Sequence, residues 1–303
     1  MVRTAHIAAL MVGTLFAVGC GGEKDRVELS LDAPATPRRI VSLAPSLTET
    51  LYALGLGDSV VGVTRYCGFP PEVADLPKIG GHLDPNFEAI VSLEPDLVVV
   101  IPSSSENGQR LESLGIRVLE VDQHDVQAVL ESVEVVAEAC GVPDRGADLR
   151  AEIDRRLAAI RSVVEHAARP RTVVVVGHQV GDDAVRSVWA AGSDTFYDGV
   201  LRIAGGTNAV TGGLARYPEL SREGLASLDP DVVLDVIAGL EDRHLDLEEV
   251  RSRWMRLIEL RAVREQRITV LAGDQMVVPG PRLPEMVEAI ARALHPDLEW
   301  ESQ

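Results

Sequence analysis

Aromatic side chains make up only 4% of this 303-residue chain, and there are three cysteines. So few aromatics leave no stacking platform for nucleic-acid bases. No run of Lys and Arg interrupts a formal net charge of −18 that is spread along the length. Such a surface repels nucleic acid and anionic membrane. No GxSxG elbow, HExxH, P-loop or strand-following GxGxxG occurs, and no CxxC pair offers a zinc cage. The glycine pairs Gly80-Gly81, Gly205-Gly206 and Gly212-Gly213 lack the spacing of a phosphate loop at a helix N-terminus and read as tight turns. Nothing sets a nucleophile beside a base, so the chain reads as non-enzymatic. An enzyme on this scaffold would need a perturbed titratable pair in a cleft.

Hydrophobic content is 46% and charged content 25%, ordinary values for a globular protein long enough for two domains. The first residues differ. Arg3 precedes an apolar run from Ile7 to Val18 that ends in Ala17-Val18-Gly19-Cys20. About a dozen apolar residues are too few to span a bilayer and have signal-peptide proportions. The small residues before Cys20 resemble a bacterial lipobox, with Ala17 standing where such motifs prefer Leu. The expectation is a signal peptide over 1–19 and a polar tether over 20–37, lipidated at Cys20, as the only membrane attachment. Of the remaining cysteines, Cys67 follows a predicted strand and Cys140 ends a predicted helix on the opposite face, which predicts two free thiols.

Short Val/Ile-rich runs alternate with helical patterns. Strands are predicted at Arg39–Leu43, Val60–Arg65, Leu97–Ile101, Arg117–Asp122, Thr172–Gly177, Val232–Ile237 and Ile268–Ala272. Helices fit between them at Leu47–Leu54, Phe87–Leu93, Asn107–Leu114, Val126–Ala139, Thr195–Ala204, Arg222–Leu228, Leu247–Leu260 and Leu283–Leu294. This alternation predicts an α/β fold of two Rossmann-like lobes with central, mostly parallel sheets. From Asp144 to Ala168, Leu149, Ile153, Leu157, Ile160 and Val164 keep helical spacing up to Pro170. A helix of about 24 residues spans about 36 Å, enough to join an N-terminal lobe (38–142) to a C-terminal lobe (170–303) through a strut at 143–169.

An internal repeat supports two lobes on one plan. Residues 86–99 read NFEAIVSLEPDLVV and residues 221–234 read SREGLASLDPDVVL. Glu88 aligns with Glu223, Ser92 with Ser227 and Asp96 with Asp231; Asn86 and Ser221 are suitable N-caps. Either Glu alone is explained by the helix dipole. The same offset in both lobes points to a docking role for two exposed carboxylates facing arginines on a partner.

Ligands of open α/β sheets bind at the carboxyl ends of strands, which draws attention to Tyr66, His124, His178 and Asp274. His82 and Tyr217 lie in loops before the two repeats. His124 reads as a border of the helix from Val126, and Asp274 also suits a turn. His82, His178, Tyr66 and Tyr217 suit cleft lining, with imidazole and phenol able to ligate metal or to hydrogen-bond. Trp189 suits core and cleft wall equally.

The stretch RRIVSLAPSLTETLYALGLGDSVVGVTRYCGFPPEVADLPKIGGHLDPNFEAIVSLEPDLVVV resembles periplasmic binding proteins for vitamin B12, ferric siderophores and haem. VWAAGSDTFYDGVLRIAGGTNA, LSREGLASLDPDVVL and GPRLPEMVEAIARALHP extend the likeness over about residues 38 to 296. The resemblance implies two lobes joined by one long helix, with little hinge closure. It also implies a monomer that delivers a small metal-chelate ligand to the permease dimer and ATPase of an ABC importer. Glu88 and Glu223 match the residues that dock on arginine pockets of such a permease. SLAPSLTETLYALG followed by TRYCGFPPE looks most like the cobalamin-binding group, and Tyr66 matches a cleft tyrosine there. The chain departs from that group at His82, His178 and Ile101, where aromatics would be expected, while Tyr217 keeps a ring. The leading expectation is therefore capture of cobalamin or a related corrinoid, with His82 and His178 as candidate axial ligands. Haem or a ferric siderophore is the alternative ligand. A metal-ion receptor built on His82, His178 and Asp274 is a third reading.

Overall fold

The computed structural model describes residues 36–181, 184–213, 215–237 and 246–300. The expected signal peptide, Cys20 and all but the last two residues of the tether lie outside the described residues. In the first lobe β1 (Ile40–Ser42), β2 (Val60–Val63), β3 (Leu97–Val100) and β4 (Val118–Glu120) form a parallel sheet in the order β2-β1-β3-β4. β1 and β3 are buried at every position; β3 accordingly reads as an unbroken apolar run, while β1 ends in the buried Ser42. Around them lie α1 (Pro45–Ala53), α2 (Phe87–Ser92), α3 (Ser105–Ser113) and α4 (Val126–Ala139). Asp125 caps α4 by accepting from the Ala128 N–H at 2.8 Å.

The 22-residue α5 (Pro143–Val164) then leads to the second sheet. That sheet comprises β5 (Arg171–Gly181), β6 (Ala184–Ala190), β7 (Thr207–Asn208), β8 (Glu219–Ser221), β9 (Val232–Ile237) and β10 (Ile268–Ala272). Its order is β10-β9-β5-β6-β8, with β7 also paired to β5. Its helices are α6 (Phe196–Ile203), α7 (Arg222–Leu228), α8 (Leu247–Trp254), α9 (Arg261–Arg264) and α10 (Leu283–Leu294). β5, β9 and β10 run parallel, but β6 is antiparallel to both β5 and β8. The sequence predicted no strand at β6, because its alternation is broken by a half-buried Ser187 beside an exposed Arg186. The single helix expected over 247–260 ends at Trp254, whose fully buried indole donates to Asp235 Oδ2 at 2.7 Å.

The repeat has a structural cause. In each copy the acidic residue before proline takes a left-handed conformation, φ 44° at Glu94 and 42° at Asp229. This turns the chain so that the following aspartate meets the start of the lobe's first strand. Asp96 accepts from the Arg38 and Arg39 N–H groups at 2.8 and 3.0 Å, and Asp231 accepts from the Arg171 N–H at 2.7 Å. Each clamp fixes a helix end to a strand origin through charge-assisted bonds.

The two lobes share a core. One cluster runs from Ile40, Leu47 and Leu51 through Ile153, Leu157, Ile160 and Val164 of α5 to Leu201, Met286 and Ile290. Separate clusters cover the outer face of each sheet. Both cysteines are buried and free, and burial pushes the Cys140 thiol up to about 11. The lobes are also joined by an ion pair between α1 and the N-cap of α10. Arg282 donates from Nε and Nη2 to the two carboxylate oxygens of Glu49 at 2.9 and 2.5 Å, and the ring of Phe69 lies 4.1 Å from the guanidinium carbon. Glu49 is 3% exposed and Arg282 15%. Burial raises the Glu49 pKa above the usual carboxylate range, and Arg282 offsets only part of that shift. The folded state thus holds a proton on Glu49 more tightly than the unfolded chain, and this group's contribution to stability declines as pH rises through its folded value.

Removing one member of such a pair strands a buried charge. Glu49→Ala is expected to lower the unfolding free energy by about 3–5 kcal/mol, whereas Glu49→Leu with Arg282→Met costs little or is stabilising. Denaturant unfolding of the two variants checks this.

Candidate functional site

The carboxyl ends of β1, β3 and β4 open onto a cleft of about 470 Å³ between the lobes. Ala44, Pro45 and Ser46 follow β1, Ile101-Pro102-Ser103 follow β3, and Asp122-Gln123-His124 follow β4; all of these line it, with His82. The second lobe contributes Val277-Val278-Pro279 and Arg216. The walls are thus largely apolar, with a rim of hydrogen-bonding groups. Ser46 Oγ donates to Gln123 Oε1 at 2.5 Å, and Gln123 Nε2 donates to Ser132 Oγ at 3.0 Å, which orients the amide.

His82 is half-buried. Its carbonyl accepts from Ser104 Oγ at 2.9 Å and Asn107 Nδ2 at 3.0 Å, so the loop is held from behind while the ring meets the cleft. The Tyr66 ring stands edge-on to it, centroids 6.2 Å apart, and is itself 55% exposed just outside the lining. Arg65 and Asp84 tie the two loops together at 2.8 Å, and the guanidinium holds the Asp84 carboxyl below the usual range. His124 reads from sequence as a helix border ahead of a ligand role. It lies between two carboxylates, with Nδ1 2.7 Å from Asp122 Oδ2 and Nε2 3.3 Å from Asp125 Oδ2, and it lines the cleft. The signal was present in Asp-Gln-His-Asp directly after a strand. Arg216 was missed because its loop has no periodic pattern.

His82, Ile101 and His124 thus reach the cleft together, with Tyr66 beside them, while His178, Trp189, Tyr217 and Asp274 are not among its lining residues. His178 sits on β5 with Nδ1 3.5 Å from the buried Asp235 Oδ1, an oxygen with no hydrogen-bond partner. Asp235 shares one face of β9 with Val233 and Ile237, which belong to the outer cluster with Trp254, so His178 joins the sheet face away from the shared core. Trp189 lies on β6 opposite Gly177. Tyr217 is 42% exposed beside Arg216, and partial burial raises its pKa. Asp274 opens a 3₁₀ turn near the Glu49–Arg282 pair, where its charge raises the Glu49 pKa. The metal-ion reading is corrected accordingly: His82, His178 and Asp274 do not converge. Among the described residues no group of three His, Cys, Asp or Glu side chains is placed to hold a metal ion. Glu88 and Glu223 are both exposed in the first turns of α2 and α7. Asn86 and Ser221 cap those turns at 3.0 and 3.2 Å. The Glu223 carboxyl is held below the usual range by its own backbone N–H and the Ser221 hydroxyl.

The model of the periplasmic binding protein family matches residues 40–274. The chain belongs to the periplasmic binding protein family. A binding protein of this kind is the solute-capturing component of an ABC transporter and performs no chemistry, and that is the role of this chain. It is 29% identical to the ABC transporter substrate-binding lipoprotein YvrC of Bacillus subtilis over 97% of this chain and 98% of that protein. It is 30% identical to a cobalamin-binding protein of Halobacterium salinarum over 90% of this chain and 73% of that protein. Among solved structures, the periplasmic heme-binding protein RhuT from Roseiflexus sp. RS-1 superposes with a TM-score of 0.73 at 30% identity, covering 86% of this chain and 98% of that one. Among the described residues no helix is long and apolar enough to cross a membrane.

The placement of His178 separates folding from binding. His178→Ala is expected to lower stability by about 1–3 kcal/mol, since it leaves Asp235 further undersupplied with partners. Ligand affinity should stay within about twofold, because no cleft contact is removed. Paired unfolding and binding titrations check both.

Proposed function

We propose that the protein is an exported carrier, anchored by lipid at Cys20, that captures cobalamin or a related corrinoid between its lobes and delivers it to an ABC permease dimer and its ATPase. The observation that carries the ligand reading is the character of the cleft. Apolar walls from Ala44, Pro45, Ile101 and Val277 to Pro279 face one another, and neutral hydrogen-bonding groups on Ser46, Ser103 and Gln123 lie among them. An apolar macrocycle edged by uncharged amides suits such a surface, whose polar groups fix orientation. The identity to a cobalamin-binding protein supports the same choice.

Haem is the second reading, favoured by two imidazoles, His82 and His124, in the lining and by the likeness to a heme-binding protein. Cyanocobalamin and haemin, each titrated into purified protein and followed by absorption and calorimetry, separate the two. The corrinoid is expected to bind at micromolar concentration or below, and absence of corrinoid binding there would overturn the leading assignment. His82→Ala should alter the spectrum of the bound chelate if the imidazole is an axial ligand, and an unchanged spectrum rules that role out.

Glu88 and Glu223 are proposed to dock the loaded carrier, each carboxylate meeting arginines of one permease subunit. Glu88→Ala combined with Glu223→Ala is expected to leave ligand affinity intact and to weaken binding to transporter-containing membranes. A double variant that loses ligand yet still docks would reverse the assignment.

A further inference from the structure

Among the described residues lining the cleft, Arg216 is the one Lys or Arg side chain. It is the only guanidinium in a cleft whose other charged group is Asp122, apart from the two imidazoles. Arg216 Nη2 donates to two main-chain carbonyls, Asp194 O at 2.7 Å and His124 O at 3.2 Å. His124 belongs to the first lobe and Asp194 to the second, so the guanidinium straps one end of the cleft. Its base is held by main chain. The Gly192 N–H donates to Arg216 O at 2.8 Å, and the Ala190 N–H donates to Pro218 O at 3.0 Å. A Cβ at Gly192 would stand 3.0 Å from the Arg216 carbonyl oxygen, so the close approach favours glycine there.

The strap lies where two cavities meet. His124 borders the cleft and also a second cavity of about 460 Å³, which Asp194 lines as well. Arg161 of α5 and Arg202 of α6 line this second space together with Asp125 and Asp194. Arg202 also pairs with Asp198 at 3.2 Å. The Arg216 guanidinium, by contrast, bonds main-chain carbonyl oxygens, with Asp122 the carboxylate that shares its cleft.

We propose that Arg216 is the receptor for an anionic arm carried by the captured macrocycle, and that the second cavity is the room into which that arm extends. This rests on the reading that the ligand is a macrocyclic metal chelate. Arg216 is held by neutral carbonyls only. A phosphate or carboxylate oxygen replaces such an acceptor with a charge-assisted bond of about twice the strength. The fork of donors suits either anion. A bound anion displaces the strap from His124 O or Asp194 O and opens the passage between the cavities. A ligand without the arm leaves the strap shut and gains nothing from it.

Two probe pairs test the idea by calorimetry on the full chain. Cyanocobalamin carries a phosphodiester in its nucleotide arm, and dicyanocobinamide lacks the arm. Haemin carries two carboxylates, and its dimethyl ester masks them. The wild type is expected to prefer the anionic member of a bound pair by about tenfold or more, as a charge-assisted bond implies. In Arg216→Gln the ratio should fall to within about twofold, while Arg216→Lys, which keeps the charge without the fork, should keep a ratio above about threefold. Thermal unfolding of both variants, matching the wild type, shows that the fold is retained. Binding of a pair with the same ratio in wild type and Arg216→Gln overturns this inference and leaves the proposed function standing. Failure of all four probes to bind overturns the chelate reading and this inference with it.

Discussion

Glu49 and Arg282 lie 233 residues apart in sequence and meet where neither reaches much water. That meeting joins the two lobes beside the cleft. Ser46 lines the cleft one turn before Glu49 on α1, and Pro279 lines it three residues before Arg282. The ion pair thus ties together two segments that each reach the cleft lining. It costs desolvation, as the raised Glu49 pKa shows. A buried pair of this kind is a weak source of net stability and a strong source of definition, because any other arrangement of the lobes leaves a buried charge unpaired. The shared apolar cluster along α5 supplies the attraction, and the pair selects the register.

This explains how a protein without chemistry still needs close construction. The fold carries its ligand groups on loops at strand ends, but each loop is held from behind: His82 by Ser104 and Asn107, Gln123 by Ser46 and Ser132, Arg216 by Gly192. Preorganised groups lose little freedom when a ligand arrives, so more of the contact energy appears as affinity. The exposed glutamates at the tips of α2 and α7 stand on helices anchored by the Asp96 and Asp231 clamps, so the two carboxylates are presented by equivalent parts of two lobes.

Much of this was legible in the sequence where the signal is local. Val232–Ile237 and Ile268–Ala272 form strands over the same residues as predicted, and α4, α7 and α10 form helices likewise. Runs rich in Val and Ile determine the strands, side-chain caps at Asp125 and Ser221 open α4 and α7, and Pro284 stands in the first turn of α10. The repeat was visible too, but its cause was not: the left-handed turn before proline and the aspartate clamp are three-dimensional facts. What stayed hidden depends on distant partners. β6 forms because β5 and β8 flank it, not because its own residues alternate cleanly. His178 looked like a cleft residue until Asp235, some way along β9's own segment, claimed it. His124 looked like a helix border because its role requires Asp122 and Asp125 on either side and Arg216 across the cleft.

With the Glu49–Arg282 pair and the shared core joining the lobes, the cleft is expected to be set before ligand arrives. Spin labels at Ser92 and Ser227, exposed and equivalent positions of the two lobes, report the inter-lobe distance by pulsed electron paramagnetic resonance. Cys67 and Cys140 are buried and compete little for the label. The account predicts a shift below about 2 Å when saturating ligand is added, the range of preorganised binding. A shift of about 5 Å or more, the mark of hinge closure, would contradict it.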